Sequence, residues 1–550
     1  MLRKAFNVKQ LNTKHSKRIT KVKCYNNISE LYKTTGAHLV VKSLEVLNVN
    51  RIYSIPGGAS VLIDIELSKS KKIKNTLMRH EQAAIFAAEG YAKSSGKVGV
   101  VETTSGPGCL NLVTGLGDAM MNFVPLVALT GQVNSKLLGS DAFQETPIVE
   151  VTRSITKHNY LVLNAFDIPR ILKEAFLIAG KLGRSGPVLI DIPKDIQNQE
   201  IFVSADFISK CKISESVIFK FISYEKIFQK SFENEIDSFI NHLLYNSKKP
   251  ILYCGGGCQN ASNELQYFAT KMNIPVALTL QGLGVFPNEN PLYLGMLGMH
   301  GSVYCNDAID KSDFLIALGV RFDDRVTGKV ESFAHHAKIA HIDIDFSEIG
   351  KNKYVDIPIC SDVKRFLQKV NEKLLYYDFL NNFEIWNRNI QVNKKNFPIQ
   401  IPDYSDMISA QKAIKELSYE IQKRRKDAII SCGVGQDQMW TAQHFPFHKA
   451  RHALWSGGCA AMGVSIPYSI GVCSYLEEKR CNGDLYVISI DGDGSFQMNI
   501  QELATIAVEQ MDVKIFLINN QTLGNVKFWV DMFYKDIKRN KILKDTIDHQ

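Results

Sequence analysis

Three doubly wound parallel-sheet domains of the α/β class are the architecture this sequence predicts. Apolar runs of strand length recur through three blocks of the chain, helical patterns alternate with them, and irregular polar stretches part the blocks. At 550 residues the chain is too long for one ordinary domain and fits three or four. Sheets of this kind place ligand sites beyond the carboxyl ends of their strands, so chemistry-bearing motifs are expected there.

The chain opens on a basic extension, residues 1–33. Its first 29 residues, MLRKAFNVKQLNTKHSKRITKVKCYNNIS, hold eight Lys/Arg and no Asp or Glu. This composition suits an organelle transit peptide, although it favours Lys over Arg; a disordered basic tail or a misplaced start codon are the plain alternatives. A transit peptide implies a plastid or mitochondrion; otherwise the protein is expected in the cytoplasm. Secretion is not expected, because no apolar h-region follows. Much of the net charge of +9 lies in this front, and the remainder is close to balanced. A basic stripe interleaved with aromatics is missing, so nucleic acid is not an expected partner. Eleven cysteines, an odd number without a CxxC pair, favour reduced thiols.

The first block, residues 34–195, alternates the strands VGVVETT, LVALTGQ and PVLIDIP with helical segments such as EQAAIFAAEGYAKSSG. The second, 216–370, repeats the rhythm in PILYCGGG, IPVALTL, DFLIALG and AKIAHIDID. Residues 371–403 are polar and Asn-rich, which reads as a linker. The third block, 404–550, supplies DAIISCG, LYVISIDGDG and VKIFLINN. Within it, His452 to Leu476 carries no formal charge over 25 residues, long enough to cross a bilayer. Four glycines, four serines and Pro467 make it instead a Gly-rich loop leading into a buried helix, so no membrane partner is expected.

The sharpest chemical signal is IDGDGSFQMN followed by KIFLINN. Asp493 and Asn520 are 27 residues apart, one βαβ crossover, so both can stand at neighbouring strand ends. Two hard oxygen ligands with a backbone carbonyl near Thr522 suit an octahedral Mg²⁺ that keeps diphosphate oxygens as its other ligands. Gly492 and Gly494 let the backbone approach those phosphates. An Asp-Gly turn alone is commonplace; the Asn pair at this distance gives it weight. No GxxxxGK[ST] occurs, so a P-loop is not the explanation.

This GDG…NN pattern resembles that of thiamine-diphosphate enzymes, a likeness that implies a glutamate opening a helix in another αβ domain. Arg79-His80-Glu81-Gln82-Ala83-Ala84 supplies it. In those enzymes such a glutamate hydrogen-bonds the cofactor's aminopyrimidine ring and works as a general acid–base group. The strings RHEQAAIFAAEGYAKSSGKVGVVETTSGPGCLNLVTGL, TGQV, GSDAFQET, ITKHNY, GPVLIDIPKD, LTLQGLG, LGMLGMHG, RFDDRVTG, HIDIDFSEIGKN and DGDGSFQMNIQELAT closely resemble the acetohydroxyacid (acetolactate) synthase large subunit. The likeness covers nearly everything from Thr34 to Tyr534.

The resemblance implies a pyrimidine-binding first domain, a central FAD domain and a diphosphate- and Mg²⁺-binding third domain that is C-terminally short. It implies thiamine diphosphate, Mg²⁺ and FAD, the flavin without a net redox role. Gln144, Lys194 and His300 join Glu81 as active-site polar groups, with Phe143, Met299 and Trp529 shaping the substrate pocket. Arg325 is the residue expected to receive the second keto acid's carboxylate, which its planar fork matches bidentately. Gly57, Gly58, Asn111, Gln436 and Met462 are carried over as thiamine-side contacts. Arg184, Gly255, Gly256, Thr279, Gln281, Arg321, Asp343 and Asp362 are carried over as flavin contacts, which Gly255-Gly256-Gly257 alone would not have indicated.

The implied activity joins two pyruvates into 2-acetolactate and CO₂, or pyruvate and 2-ketobutyrate into 2-aceto-2-hydroxybutyrate, for branched-chain amino-acid biosynthesis. The implied assembly is a homodimer or homotetramer with active sites at the subunit interface, and a small regulatory subunit is a candidate partner. The chain departs from the family at Ile55, where an aromatic is usual, and at Asp437, where VGQHQMW has histidine. It departs again in Leu523-Gly524-Asn525-Val526-Lys527-Phe528-Trp529, and it ends at Gln550, so a frayed terminus is expected after about Tyr534. Two alternatives stand beside the synthase: a catalytically degenerate paralogue that binds subunits, and a sibling carboligase or decarboxylase of another 2-keto acid. Arg325, Lys194 and GMLGMHG favour the synthase over the sibling.

Overall fold

The computed structural model describes residues 31–218, 232–377, 383–481 and 485–534. The transit-peptide reading of the first 30 residues and the frayed end expected after Tyr534 lie outside the described residues. The chain builds three parallel sheets with helices packed on them, as its alternating apolar runs demand. The first has six strands in the spatial order Lys74–Leu77, Arg51–Ile55, Gly99–Thr103, Leu126–Gln132, Pro187–Pro193 and His158–Leu161. Leu126–Gln132 and Pro187–Pro193 are buried at every position, which is why they read as unbroken apolar runs rather than alternating ones. Strand order reverses between Arg51–Ile55 and Gly99–Thr103, the point beyond whose carboxyl ends such sheets place a ligand site.

The second sheet orders Tyr293–Met296, Val276–Leu278, Pro250–Cys254, Phe314–Leu318, Lys338–Asp343 and Ile357–Cys360. Counted along the chain this is 3-2-1-4-5-6, the dinucleotide-binding order, with its reversal between Pro250–Cys254 and Phe314–Leu318. The third sheet has four strands, Ala453–Leu454, Asp427–Cys432, Leu485–Gly492 and Val513–Ile518, and reverses between the second and third of these.

Two features depart from a plain reading of composition. Leu31–Thr35 pairs antiparallel with Glu200–Ser204, so the first unit takes in chain on both sides of 34–195. Residues 371–403, read as a linker, carry the helix Glu384–Asn396, which buries Trp386 and Ile390 in the core of the middle unit. Trp386 Nε1 donates to the Pro250 carbonyl at 3.2 Å. Two apolar residues four apart make a narrow helical stripe that an average over a polar stretch conceals.

The first and third units meet where helix Glu81–Ser95 crosses helix Ser465–Lys479. Glycines permit the crossing: a Cβ on Gly90 would fall 2.4 Å from the Tyr468 carbonyl oxygen, and one on Gly471 2.2 Å from that of Ala87. The uncharged stretch from His452 is therefore a loop and an interior helix. Among the described residues no helix is long and apolar enough to cross a membrane.

Candidate active site

At the carboxyl end of the first sheet's strands, Glu81 opens its helix behind His80, whose ring nitrogen accepts from the Gln82 amide at 3.1 Å. Its carboxylate is partly buried, and Asn111 Nδ2 donates to Oε2 at 2.9 Å. The space around it is kept clear by missing side chains. A Cβ on Gly57 would strike Thr104 at 2.4 Å, and one on Gly108 would lie 2.7 Å from Thr104 Cγ2 and 3.5 Å from Glu81 Oε1. Gln144 packs on the same loop, 2.9 Å from where a Cβ on Gly106 would stand. The neighbouring Phe143 is 88% exposed, an apolar ring held out in solvent. Gly58 has open space about it, and Lys194 is exposed at the end of strand Pro187–Pro193.

At the third sheet, register pairs Gly492 with Ile518, so Asp493 and Asn520 leave adjacent strands at the same end. Asn520 Nδ2 donates to Gln436 Oε1 at 3.1 Å, and the Thr522 amide donates to Asn520 Oδ1 at 3.1 Å. The donors are hard oxygens: the Asp493 carboxylate, the Asn520 amide and the Thr522 carbonyl. That chemistry fits Mg²⁺. Among the described residues no three His, Cys, Asp or Glu side chains are grouped for a metal. Asp437 lies in the first turn of helix Gln436–His444, 4% exposed, with Oδ1 3.2 Å from where a Gly492 Cβ would stand. Burial pushes its carboxyl up to about 6, and burial likewise raises Asp491 well above the carboxylate range.

Between the middle sheet and its neighbours lies a cavity of about 2330 Å³, well beyond the roughly 300–1,000 Å³ of ordinary ligand pockets. Arg184, Gly255, Gly256, Thr279, Gln281, Arg321, Asp343 and Asp362 all line it. A Cβ on Gly255 would meet the Gly319 carbonyl oxygen at 2.4 Å, so the two loops of the strand-order reversal pass in backbone contact. Arg184 pairs with Glu348 at 3.0 Å and Asp345 at 3.4 Å while its guanidinium lies 4.0 Å over the Phe123 ring. Burial lifts Asp343 to about 7. A dinucleotide fits this cradle in size and in the chemistry of its lining.

Met299, His300, Arg325 and Trp529 line the same cavity. Gly298, at φ +95°, lets the Met299–His300 turn lie on Arg325: the Met299 amide donates to the Arg325 carbonyl at 2.8 Å. Arg325 Nη1 reaches Met299 Sδ at 3.9 Å, and burial, then Arg325, depress the His300 pKa. Glu81, Asn111, Gln144, Phe143, Lys194, Gly57 and Gly58 do not line this cavity, nor do Gln436, Met462, Gly492, Asp493, Gly494, Asn520 and Thr522. The expected residues thus fall into those about Glu81, those at the Asp493 end of the third sheet, and those that line the cavity, to which the first and third units also contribute Arg184 and Trp529. Sequence reasoning passed over Asn122, Phe123, Gly457 and Gly458, which also line the cavity. Only the Gly-Gly pair carried a signal, and it was read as an interior loop.

Residues 34–151, 238–370 and 433–548 match the N-terminal TPP binding, central and C-terminal TPP binding domains of thiamine pyrophosphate enzymes. The chain is similar to acetolactate synthase, chloroplastic, of Arabidopsis thaliana, 50% identical over 512 residues that cover 93% of this chain and 73% of that protein. It is 50% identical over 502 residues to acetolactate synthase 2, chloroplastic, of Nicotiana tabacum, covering 91% and 73%. Acetolactate synthase 3, chloroplastic, of Brassica napus is 49% identical over 512 residues, covering 93% and 76%.

Proposed function

The chain belongs to the acetolactate synthase family of thiamine-diphosphate enzymes, and from that premise we propose which residues decarboxylate pyruvate and join the two-carbon unit to a second 2-keto acid. It is a thiamine-diphosphate-dependent transferase that makes acetolactate for branched-chain amino-acid synthesis, with Mg²⁺ and FAD as further cofactors. Thiamine diphosphate, when bound, supplies the electron sink for decarboxylation.

Glu81 holds or releases the proton at the edge of the aminopyrimidine ring, and Asn111 fixes the orientation of its carboxylate. Asp493, Asn520 and Thr522 hold Mg²⁺ through oxygen, with Gln436 bracing the Asn520 amide. The eight flavin-side residues hold FAD, and Arg325 orients the second keto acid, pyruvate or 2-ketobutyrate, by a forked grip on its carboxylate. His300, whose pKa burial depresses, stays neutral near pH 7 and can both donate and accept a hydrogen bond. Met299 and Trp529 bound the space for the acceptor's side chain.

The observation that carries this reading is that Met299, His300, Arg325 and Trp529 line one cavity with all eight flavin-side residues. Separate grouping of Glu81 and its neighbours, together with the exposed Phe143, supports a homodimer or homotetramer whose sites form between subunits. The chloroplastic relatives and the acid-free front support a plastid. A small regulatory subunit belongs to the same proposal. The test is purified protein with pyruvate, Mg²⁺, thiamine diphosphate and FAD, assayed for acetolactate. Release of CO₂ without acetolactate, or no turnover, would refute the proposal.

A further inference from the structure

Asn122 ends the helix Val113–Asn122 of the first unit and joins all three. Its Oδ1 accepts from Gln281 Nε2 of the middle unit at 3.0 Å and from the Gly457 and Gly458 amides of the third at 3.2 and 2.9 Å. Its Nδ2 donates to the Asp118 carbonyl at 3.0 Å and to Asp118 Oδ1 at 2.8 Å. An amide oxygen has two lone pairs, so the three converging donors share it, and a change at one of them alters what Asn122 offers the other two.

One turn back, fully buried Asp118 accepts from Ser456 Oγ at 2.5 Å and Tyr468 OH at 2.8 Å, and Ser456 Oγ accepts from the Ala461 amide at 2.8 Å. These bonds pin the front of loop 456–463 to the first unit. The rear is pinned by the GDG segment, where the Gly463 amide donates to Ser495 Oγ at 2.9 Å and Asn499 Nδ2 donates to the Gly463 carbonyl at 2.8 Å. Met462 stands between the two anchors. Gly458 has no room for a side chain, since its Cβ would fall 2.8 Å from Met121 Cβ.

We propose that Asp118 and Asn122 are positioning residues that couple flavin binding to thiamine-diphosphate binding, through the path Gln281, Asn122, Gly457–Gly458 and Met462. The inference rests on the roles proposed above for Gln281 and Met462. A dinucleotide that orders Gln281 orders Asn122 and, with it, the loop carrying Met462. Linkage makes the effect reciprocal, so each cofactor must tighten the other by the same factor.

The experiment measures the FAD dissociation constant of the full chain by flavin fluorescence, with and without saturating thiamine diphosphate and Mg²⁺. Wild type, Asn122→Ala and Ser456→Ala are compared, and circular-dichroism melting checks each fold. FAD is expected to bind at least about 5-fold tighter with thiamine diphosphate present, the lower end of ordinary coupling. The ratio falls toward one in Asn122→Ala and part of the way in Ser456→Ala, which keeps the bonds of Asn122 but removes the loop's ties to Asp118 and the Ala461 amide. If Asn122→Ala does not fold, Ser456→Ala decides. A folded variant that lowers the melting temperature yet keeps the wild-type ratio assigns the network a structural role only and overturns the inference. Wild type that binds both cofactors with a ratio of one also overturns it and leaves the proposed function standing. Wild type that binds neither cofactor refutes the proposed function, and the inference falls with it.

Discussion

Asp437 sits in the first turn of helix Gln436–His444, at the end proposed to hold the diphosphate; the helix N-terminus itself favours an anion, but a phosphate beside a carboxylate adds like-charge repulsion. The family string has histidine here; a histidine can donate to a phosphate oxygen, whereas an ionised aspartate can only accept. Its burial excludes an outward-turned side chain. With a pKa near 6 it is neutral and a donor below that pH, and anionic above it. Thiamine-diphosphate affinity should therefore be higher at acid pH and fall as pH rises through 6. Two like charges 4 Å apart at an effective dielectric near 20 repel by about 4 kcal/mol, and a quarter of that is about fivefold in affinity. Cofactor titration at pH 8 and fixed Mg²⁺ should show Asp437→His binding about fivefold tighter than wild type, with Asp437→Asn between them. Equal constants would mean that the carboxylate does not face the diphosphate. Arg325 can be tested by product ratio. Arg325→Lys trades a fork for a point charge, and losing one charge-assisted hydrogen bond of about 1.5 kcal/mol should cut acetolactate formed per CO₂ released by about tenfold. An unchanged ratio would make Arg325 a structural contact.

Among the elements, strand Pro187–Pro193 carries its own pH sensor. Asp191 lies within an otherwise apolar, fully buried run and takes hydrogen bonds from Thr130 at 2.7 Å and Gln132 at 2.9 Å on the adjacent strand. Burial lifts it to about 7 from 3.8. A raised acid pKa means that the folded state keeps a proton the unfolded chain has released, so stability is full below about pH 4 and falls as pH rises to 7. The loss is at most about 4 kcal/mol, at 1.36 kcal/mol per pH unit. Urea midpoints for Asp191→Asn should fall less between pH 5 and 8 than those of wild type; parallel curves would place the titration elsewhere. Strands such as this were legible because double-sided burial writes an unbroken apolar run. Lys74–Leu77 and Ala453–Leu454 were not, being too short and too mixed to have a period. The pairing of Leu31–Thr35 with Glu200–Ser204 joins segments with no local trace of each other. Gly90 and Gly471 acquire meaning only from the helix opposite. That Asp493 and Asn520 stand at the same end of adjacent strands was legible because the two fall within one βαβ crossover. The eight residues proposed to hold the flavin, spread from Arg184 to Asp362, line one cavity, and they were reached only through family likeness.

At the scale of the molecule, the first and middle units are tied by the Arg184–Glu348 pair, and the first and third by helices crossing at glycine. Arg325 and His300 line one cavity with the residues proposed to hold the flavin, and Glu81 and its neighbours do not line it. The proposed site between copies would account for the separation: a twofold dimer that set the first unit of one chain against the third unit of the other would form that contact twice. Glu81→Gln alone should lose about 10²–10⁴-fold in turnover, and Asp493→Ala should fail to hold Mg²⁺. Co-expressed, the two variants would pair at random. Half of the dimers would be mixed, and each mixed dimer would contain one site with both lesions and one with neither. Activity should return to about a quarter of the parental value. Recovery would require Glu81 and Asp493 of one site to come from different chains. If the co-expressed pair stays as inactive as either variant alone while light scattering shows mixed dimers, both residues serve a site within one chain, and the interface proposal is wrong.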